Sequence, residues 1–582
     1  MFDIREYYSE ANDKIRESYE KTLSAVRGIS GKAGEYEKGT GKKELDRFLA
    51  TVGKMILKYA GIENELKPDF FTDKDMRELK TQNLDFYSDI LPENYPESYA
   101  NPTYAVRIFG ERLGRLFSFL YWEFRRYLTY AFSHKVFKME RYNRLFIELW
   151  EYLANNEADY DYLKGMITGP RREQSAEDYV RAIKEQFDPG FRYLREVIEE
   201  ADLSDPRYLF ASGGYITENE IGTSRFLATY SRDKIEKLAR QIVKGYIEGF
   251  ERDGKDISNK SSVRVVYGAG QERIIKEVAR LLSERGLEPS GFNAAYTRPN
   301  KQYDFDFKFS PALYLDEAHV ERVGENLKQA CESCREVLES FSGIVALDKF
   351  GEEPFKPENK KEMLRFSPEQ QELFMSLQAT QARVFDSYAP RTKTSFTVIA
   401  FPSPEIGDNF NEIFEDVLEI NMLDTEKYEV IQQRIIDALD KADFVHVKGK
   451  GSNKTDIKVK LHELTDPARQ SNFLNCGANI NIPLGEVYTS PVLKGTTGVL
   501  HVKETFLNRL KFVDLELHFK DGYVVDYNCG NFEKEEDNKR YIEENLLFPH
   551  KTLPVGEFAI GTNTLAYVMA QKHRILDVLP VL

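Results

Sequence analysis

From the N-terminus to about residue 250, apolar residues recur at three- and four-residue spacing, the period of amphipathic helices, with few strand-like alternations. Between residues 101 and 132, after Pro102, one such stripe runs from Phe109 and Leu113 through Leu116, Phe117, Leu120 and Phe124 to Tyr127 and Leu128. This spacing predicts one buried helix face, and helix-on-helix packing accounts for its aromatic residues without a ligand groove. The polar stretch ERDGKDISNKSS at 251–262 then reads as a linker or domain boundary.

Beyond it the period changes. SVRVVYGAGQERIIKEVARLLSERGLEPSGF reads as a short β-branched strand, a glycine turn and an amphipathic helix closed by Gly286, the opening unit of an α/β layer. FDFKF, with Asp304 just before it and Asp306 within it alternating against aromatic residues, predicts a second strand, and TKTSFTVIAFP at 392–402 a third. After about residue 402 short strands are punctuated by glycine. DFVHVKGKGSNKTDIKVKL reads as one hairpin, and FVDLELHFKDGYVVDY as another that turns at Lys520, Asp521 and Gly522. Helices are expected beside them, around Glu412 to Leu418 and Glu429 to Leu439. The fold class is therefore α/β, with a mainly helical region at 1–250, an α/β domain at 263–400 and a mixed α/β domain with much antiparallel sheet at 401–582.

A length of 582 residues allows two to four domains. With 81 Lys and Arg against 96 Asp and Glu, the formal charge is −15, which disfavours nucleic acid as a partner and leaves room for divalent cations or amines. Cys331, Cys334, Cys476 and Cys529 are too few for a disulfide scaffold, and the N-terminus lacks the apolar core of a signal peptide. A cytoplasmic location is expected. Charged residues such as Arg115 and Glu123 interrupt the longest apolar stretch, so no membrane segment is predicted.

Two short motifs invite chemistry. Gly268-Ala-Gly270 opens a helix and could cradle a pyrophosphate, but Arg273 stands where the dinucleotide fingerprint has its third glycine; a tight strand-to-helix turn is the favoured reading. Cys331 and Cys334 are spaced for redox or zinc chemistry, yet no second pair or histidine tail accompanies them, and buried thiols within a helix are expected.

The more informative pair is NIPLGEVYTSP at 481–491 and VGEFAIGTN at 555–563. Each sets a glutamate directly after glycine among uncharged residues, with Thr or Asn a few positions on. A carboxylate on such a turn is held in place, and Glu486 and Glu557 can meet only through the fold. An exposed turn is the plain alternative for each alone. Together they suggest a shared site for two divalent ions, which polarise a carbonyl and lower the pKa of water from 15.7 toward about 7.

These two motifs resemble the glutamate motifs of the thermophilic-type metallo-aminopeptidases, peptidase family M29. VHVKGKGSNKTDIKVKL is similar to the hairpin preceding the first motif, and IAFPSPEIGD to the segment entering the catalytic domain. The resemblance runs from about residue 263 onward and leaves 1–250 as a helical extension. It implies an aminopeptidase that removes N-terminal residues from peptides with two divalent metals (Co, Zn, Mn or Mg), usually as a homodimer. Glu486 and Glu557 match metal-binding glutamates of the family.

The family's other ligands, a histidine, a tyrosine and a His-x-Asp pair, follow the second glutamate motif, and the sequence ends before them. The reading therefore expects a C-terminally incomplete catalytic domain, with ILDVLPVL as an interrupted element around Pro580. His573 lies in a helix beginning near Thr564 and reads as an ordinary helix histidine; His501, His518 and His550 match no family ligand. The competing readings are a non-catalytic or truncated peptidase-like protein acting in binding or assembly, and, from GAGQER, a nucleotide-binding oxidoreductase.

Overall fold

The computed structural model describes residues 4–32, 43–67, 70–353, 355–423, 425–476, 481–482, 485–507, 510–576 and 578–579. The region up to residue 252 is helical, as the apolar spacing requires. The helix Lys43–Glu65 buries Phe48, Val52, Ile56 and Tyr59, and Val136–Asn155 buries Met139, Phe146 and Leu149 in the same core. Between 101 and 132 the single apolar stripe is divided among three helices, Pro102–Phe109, Glu111–Arg125 and Tyr127–Phe132. Gly110 breaks the first from the second at φ 78°. A Cβ at Gly114 would lie 2.4 Å from Val106 Cα, so the two helices approach too closely for any side chain there. The apolar period survives the bend because both helices face the same core.

The α/β layer is a sheet of Ser262–Gly268 (β1), Glu288–Ala295 (β2), Phe341–Phe350 (β3), Ser395–Pro402 (β4) and Asn481–Ile482 (β8), in the order β2-β1-β3-β4-β8 with parallel pairings. The helix Arg232–Arg252 reaches into the polar stretch at 251–262 and lies against this sheet. Tyr246 shares a 2.7 Å hydrogen bond with the Ser342 hydroxyl, and the Ser395 hydroxyl donates to the Tyr246 carbonyl. One apolar core runs from Tyr19 in the helices to Leu418 beyond the sheet.

FDFKF is not a strand. Asn300 caps a helix, Lys301–Asp306, by accepting from the amides of Gln302 and Tyr303, and the chain then turns. The alternation misleads because Asp306 is itself buried. Its carboxylate accepts from Lys360 Nζ and Tyr95 Oη, each at 2.6 Å, and from Gln302 Nε2 at 2.7 Å. A satisfied buried carboxylate looks, in sequence, like a solvent-facing strand position.

The GAG turn is filled by the chain itself. The amide of Gly268 donates to Gln271 Oε1 and that of Gly270 to Glu272 Oε2, while a Cβ at Gly270 (φ 99°) would lie 2.6 Å from the Glu220 carbonyl. Amides already paired and covered by the helix Glu218–Ala228 offer a phosphate nothing. Cys331 and Cys334 are buried and free, at the end of the helix Glu317–Ser333; burial pushes the Cys331 thiol up to about 11 and raises that of Cys334. Such thiols are poor nucleophiles.

The C-terminal part follows the predicted hairpins. Phe444–Lys448 (β5) and Asp456–Lys460 (β6) pair antiparallel, as do Val492–Leu507 (β10), Leu510–Lys520 (β11) and Tyr523–Asn528 (β12), giving the sheet β12-β11-β10-β6-β5. Asp521 and Gly522 both take positive φ, 47° and 78°, as a tight two-residue hairpin turn requires. The helices Phe410–Asn421 and Thr425–Leu439 stand where the apolar spacing puts them. A small antiparallel sheet combines Leu474–Cys476 (β7), Glu486–Thr489 (β9) and Phe558–Gly561 (β13) in the order β13-β9-β7. Among the described residues no helix is long and apolar enough to cross a membrane. Pro580, and Pro483 and Leu484 of the first glutamate motif, lie outside the described residues.

Candidate metal centre

The small sheet brings the two glutamate motifs together. Glu486 of β9 pairs with Gly561 of β13 and Tyr488 with Ala559, while Cys476 and Leu474 of β7 pair with the same two β9 residues. Side chains alternate across a strand, so Glu486, Tyr488 and Ala559 share one face. The other face carries Val487, which is fully buried against Ile436, Leu461 and Phe473, with Phe558 and Ile560 packed beside it. Core packing on that side therefore fixes the outward direction of Glu486. Glu557 precedes Phe558, and the same alternation turns it to the Glu486 face.

The polar ends of the motifs hold this arrangement. Gln432, buried on the helix Thr425–Leu439, donates from Nε2 to the carbonyls of Glu486 (2.8 Å) and Cys476 (2.9 Å), tying β9 to β7. Gly485 lets it approach: a Cβ there would lie 2.7 Å from Gln432 Oε1. The Gly-Thr-Asn turn of the second motif has two tasks. Thr562 donates from its amide (2.9 Å) and its hydroxyl (2.8 Å) to the Gly485 carbonyl. Asn563 then caps the helix Thr564–His573 by accepting from the Ala566 amide.

The two carboxylates stand at opposite ends of their shared face. Four residues of strand separate the pairing positions of Glu557 and Glu486, a rise of about 13 Å between backbones. Their charges still interact across it. Burial, and then repulsion from Glu557, hold the Glu486 carboxyl above its ordinary range. Burial, Cys476 and both glutamates raise the Tyr488 phenol, and burial followed by Glu486 pushes the Cys476 thiol up to about 11. Among the described residues neither Glu486 nor Glu557 has a Lys, Arg or His partner. Negative charge without a compensating cation, one member of it half-buried, is a donor set that fits a divalent ion.

The histidines are distributed elsewhere. His573 ends its helix with Nε2 at 2.7 Å from Asp416 Oδ2, and Glu412, Asp416 and His573 are the one group among the described residues whose three ligand atoms gather within 4.8 Å. Lys572 already supplies a cation there, at 2.8 Å from both carboxylates. Burial alone would raise the Asp416 carboxyl, but the bonds from Lys572 and His573 outweigh it and hold it below its usual value. His501 and His518 belong to the β10–β11 hairpin, facing Asp514 and Glu516, and His550 lies beyond it. Sequence reasoning did not single out His462. Its Nε2 donates to the Ser490 carbonyl at 3.1 Å, one residue past β9 at the Glu557 end of the sheet. Tyr488 was also passed over, although its two-residue spacing from Glu486 placed it on the same strand face.

A glutamate pair without a counter-ion among the described residues, on the open face of a small sheet, defines a candidate cation site. The model of the thermophilic metalloproteases (M29) matches residues 231–573, more than half of the chain, and the chain belongs to that family. Family membership makes it a metalloprotease-type hydrolase. Among solved structures, wild-type AmpT from Thermus thermophilus is similar at 16% identity, with a TM-score of 0.35, over 57% of this chain and 78% of that one. A comparison with curated proteins returns no match.

Proposed function

We propose that this protein is a metal-dependent aminopeptidase that hydrolyses N-terminal residues from peptides at a dinuclear centre, with Glu486 and Glu557 as two of its ligands. The observation that carries the reading is the pair of glutamates on one sheet face, without a cationic partner among the described residues, inside the family-matched segment. When bound, divalent ions (Co, Zn, Mn or Mg) would supply Lewis-acid polarisation of the scissile carbonyl and a water of lowered pKa. The chain's own part is to hold and orient. Glu486, anchored by Gln432 at its own carbonyl and by Thr562 at the carbonyl of the preceding Gly485, presents a carboxylate whose direction core packing sets. Glu557 extends the negative face toward the ammonium of an incoming peptide, a preference that favours cleavage at the amino end.

In this reading residues 401–582 form the catalytic domain, 263–400 an accompanying α/β domain and 1–250 a helical extension, in a cytoplasmic homodimer. The test is cleavage of aminoacyl anilides with each metal. Activity should appear with Co, Zn, Mn or Mg and vanish in Glu486→Gln; turnover that survives both chelation and substitution of both glutamates would overturn the assignment. One observation favours a second reading, a peptidase-like protein that binds peptide ends without cutting them. Among the described residues the Glu486 face carries no imidazole donor, His462 lying at its edge and already bonded to a carbonyl. A full metal series without turnover would support it.

A further inference from the structure

The helical part forms a half-open cavity of about 670 Å³, the size of a pocket for a small organic molecule or short peptide. Its lining residues lie between Ile4 and Ala211, all outside the family-matched segment 231–573, and none belongs to the small sheet that carries Glu486. Phe70, Phe71, Val197 and Ala201 supply an apolar wall.

The charges around this wall divide into paired and unpaired. Arg207 is held by Asp205 at 2.6 Å, Glu196 by Arg192 at 3.2 Å, and Asp202 accepts from the amide and hydroxyl of Ser204. Arg5 is occupied with His134 and the carbonyls of Glu63 and Leu66. Two lining charges remain. Glu200, at the end of the helix Tyr193–Glu200, and Lys67, after the helix Lys43–Glu65, have no ion-pair partner among the described residues and do not pair with each other. One free carboxylate and one free ammonium on an apolar cavity complement a ligand with an apolar body, one ammonium and one carboxylate.

We propose that this cavity binds a short apolar peptide in its zwitterionic form, its amino end at Glu200, its carboxylate at Lys67 and its side chains against Phe70, Phe71 and Val197. A volume of about 670 Å³ is large for a single amino acid and suits a tripeptide with leucine-sized side chains, whose two end charges lie at opposite ends of its backbone. Binding at this site gives the helical extension a peptide-holding role that does not depend on the chemistry at Glu486 and Glu557.

The test is calorimetric titration of the full chain with trileucine in EDTA, so that cleavage at a metal centre contributes no heat. Saturable one-to-one binding is expected. Glu200→Gln and Lys67→Met, both at exposed positions, should each weaken it about tenfold, the loss for one charge-assisted hydrogen bond. N-acetyl-trileucine amide, which lacks both charges, should fail to bind, and Glu486→Gln should bind trileucine like the wild type. Three results would overturn the proposal: no saturable binding by the wild type, wild-type affinity in both Glu200→Gln and Lys67→Met, or loss of binding in Glu486→Gln.

Discussion

Replacing Glu486 by glutamine separates the proposed metal-binding role of this carboxylate from any structural one. Among the described residues the side chain forms no ion pair, and the anchoring bond at this position runs to the backbone carbonyl, which glutamine leaves in place. The substitution is isosteric and removes only charge. In the metal-free protein the native carboxyl binds its proton more tightly than the unfolded chain does, because burial and Glu557 disfavour the anion. Native stability therefore falls as pH rises from the ordinary carboxylate range through the raised native value, and the penalty persists above it. Glu486→Gln should abolish that slope and be at least as stable as wild type near neutral pH in EDTA. Metal bound by Glu486 should reverse the order. At a free concentration 100 times its dissociation constant, an ion that binds only the native state adds about 2.7 kcal/mol. The wild type should gain this and the variant should not. Urea unfolding followed by circular dichroism, with and without metal and across the carboxylate range, measures both effects. Equal stabilisation of wild type and variant by metal would refute the ligand role. A metal-free variant less stable than wild type by more than about 1 kcal/mol, the worth of an ordinary hydrogen bond, would refute the claim that Glu486 lacks an internal partner.

Other parts of the structure are equally open to measurement. Lys360→Met strands the Asp306 carboxylate, whose side chain is fully buried against a lysine 5% exposed, and should cost about 3–5 kcal/mol in urea unfolding; the double variant with Asp306→Asn should recover much of it. Gly270→Ala forces a side chain into positive φ and against the Glu220 carbonyl, so destabilisation beyond about 1 kcal/mol is expected, and a neutral result would show that the helix Glu218–Ala228 can yield. Cys331 and Cys334, buried with raised thiols, should resist a thiol-labelling reagent in the native protein and react in urea; rapid native labelling would contradict their burial.

Period and turn chemistry carried most of the fold. The hairpin at Asp521 and Gly522 and the strand–turn–helix from Ser262 to Gly286 needed only local signals, a two-residue loop with positive φ and an apolar face of the right period. Legibility failed where a tertiary partner overrode a local pattern. Asp306 mimicked an exposed strand position because Lys360, far along the chain, neutralises it in the core, and nothing in FDFKF announces that partner. The helix break at Gly110 was hidden for the opposite reason: both flanking helices face one core, so the apolar stripe passed through the bend unchanged.

The candidate site shows the same division between residue and register. Two Gly-Glu motifs are visible in the sequence, but whether their carboxylates meet depends on how β9 and β13 pair, which neither segment encodes alone. Pairing Glu486 with Gly561 puts the backbone of Glu557 at the far end of the face, so the two residues share a surface from opposite ends. The first motif is instead met by the Gly-Thr-Asn turn, whose Thr562 clamps the Gly485 carbonyl with two hydrogen bonds and whose Asn563 starts the next helix. The second motif thus contributes the clamp that sets the first glutamate and a carboxylate of its own. An ion between them would bind where one motif has already fixed the geometry of the other, and that coupling accounts for Gly485, Glu486, Glu557 and Thr562 together better than two independent turns do.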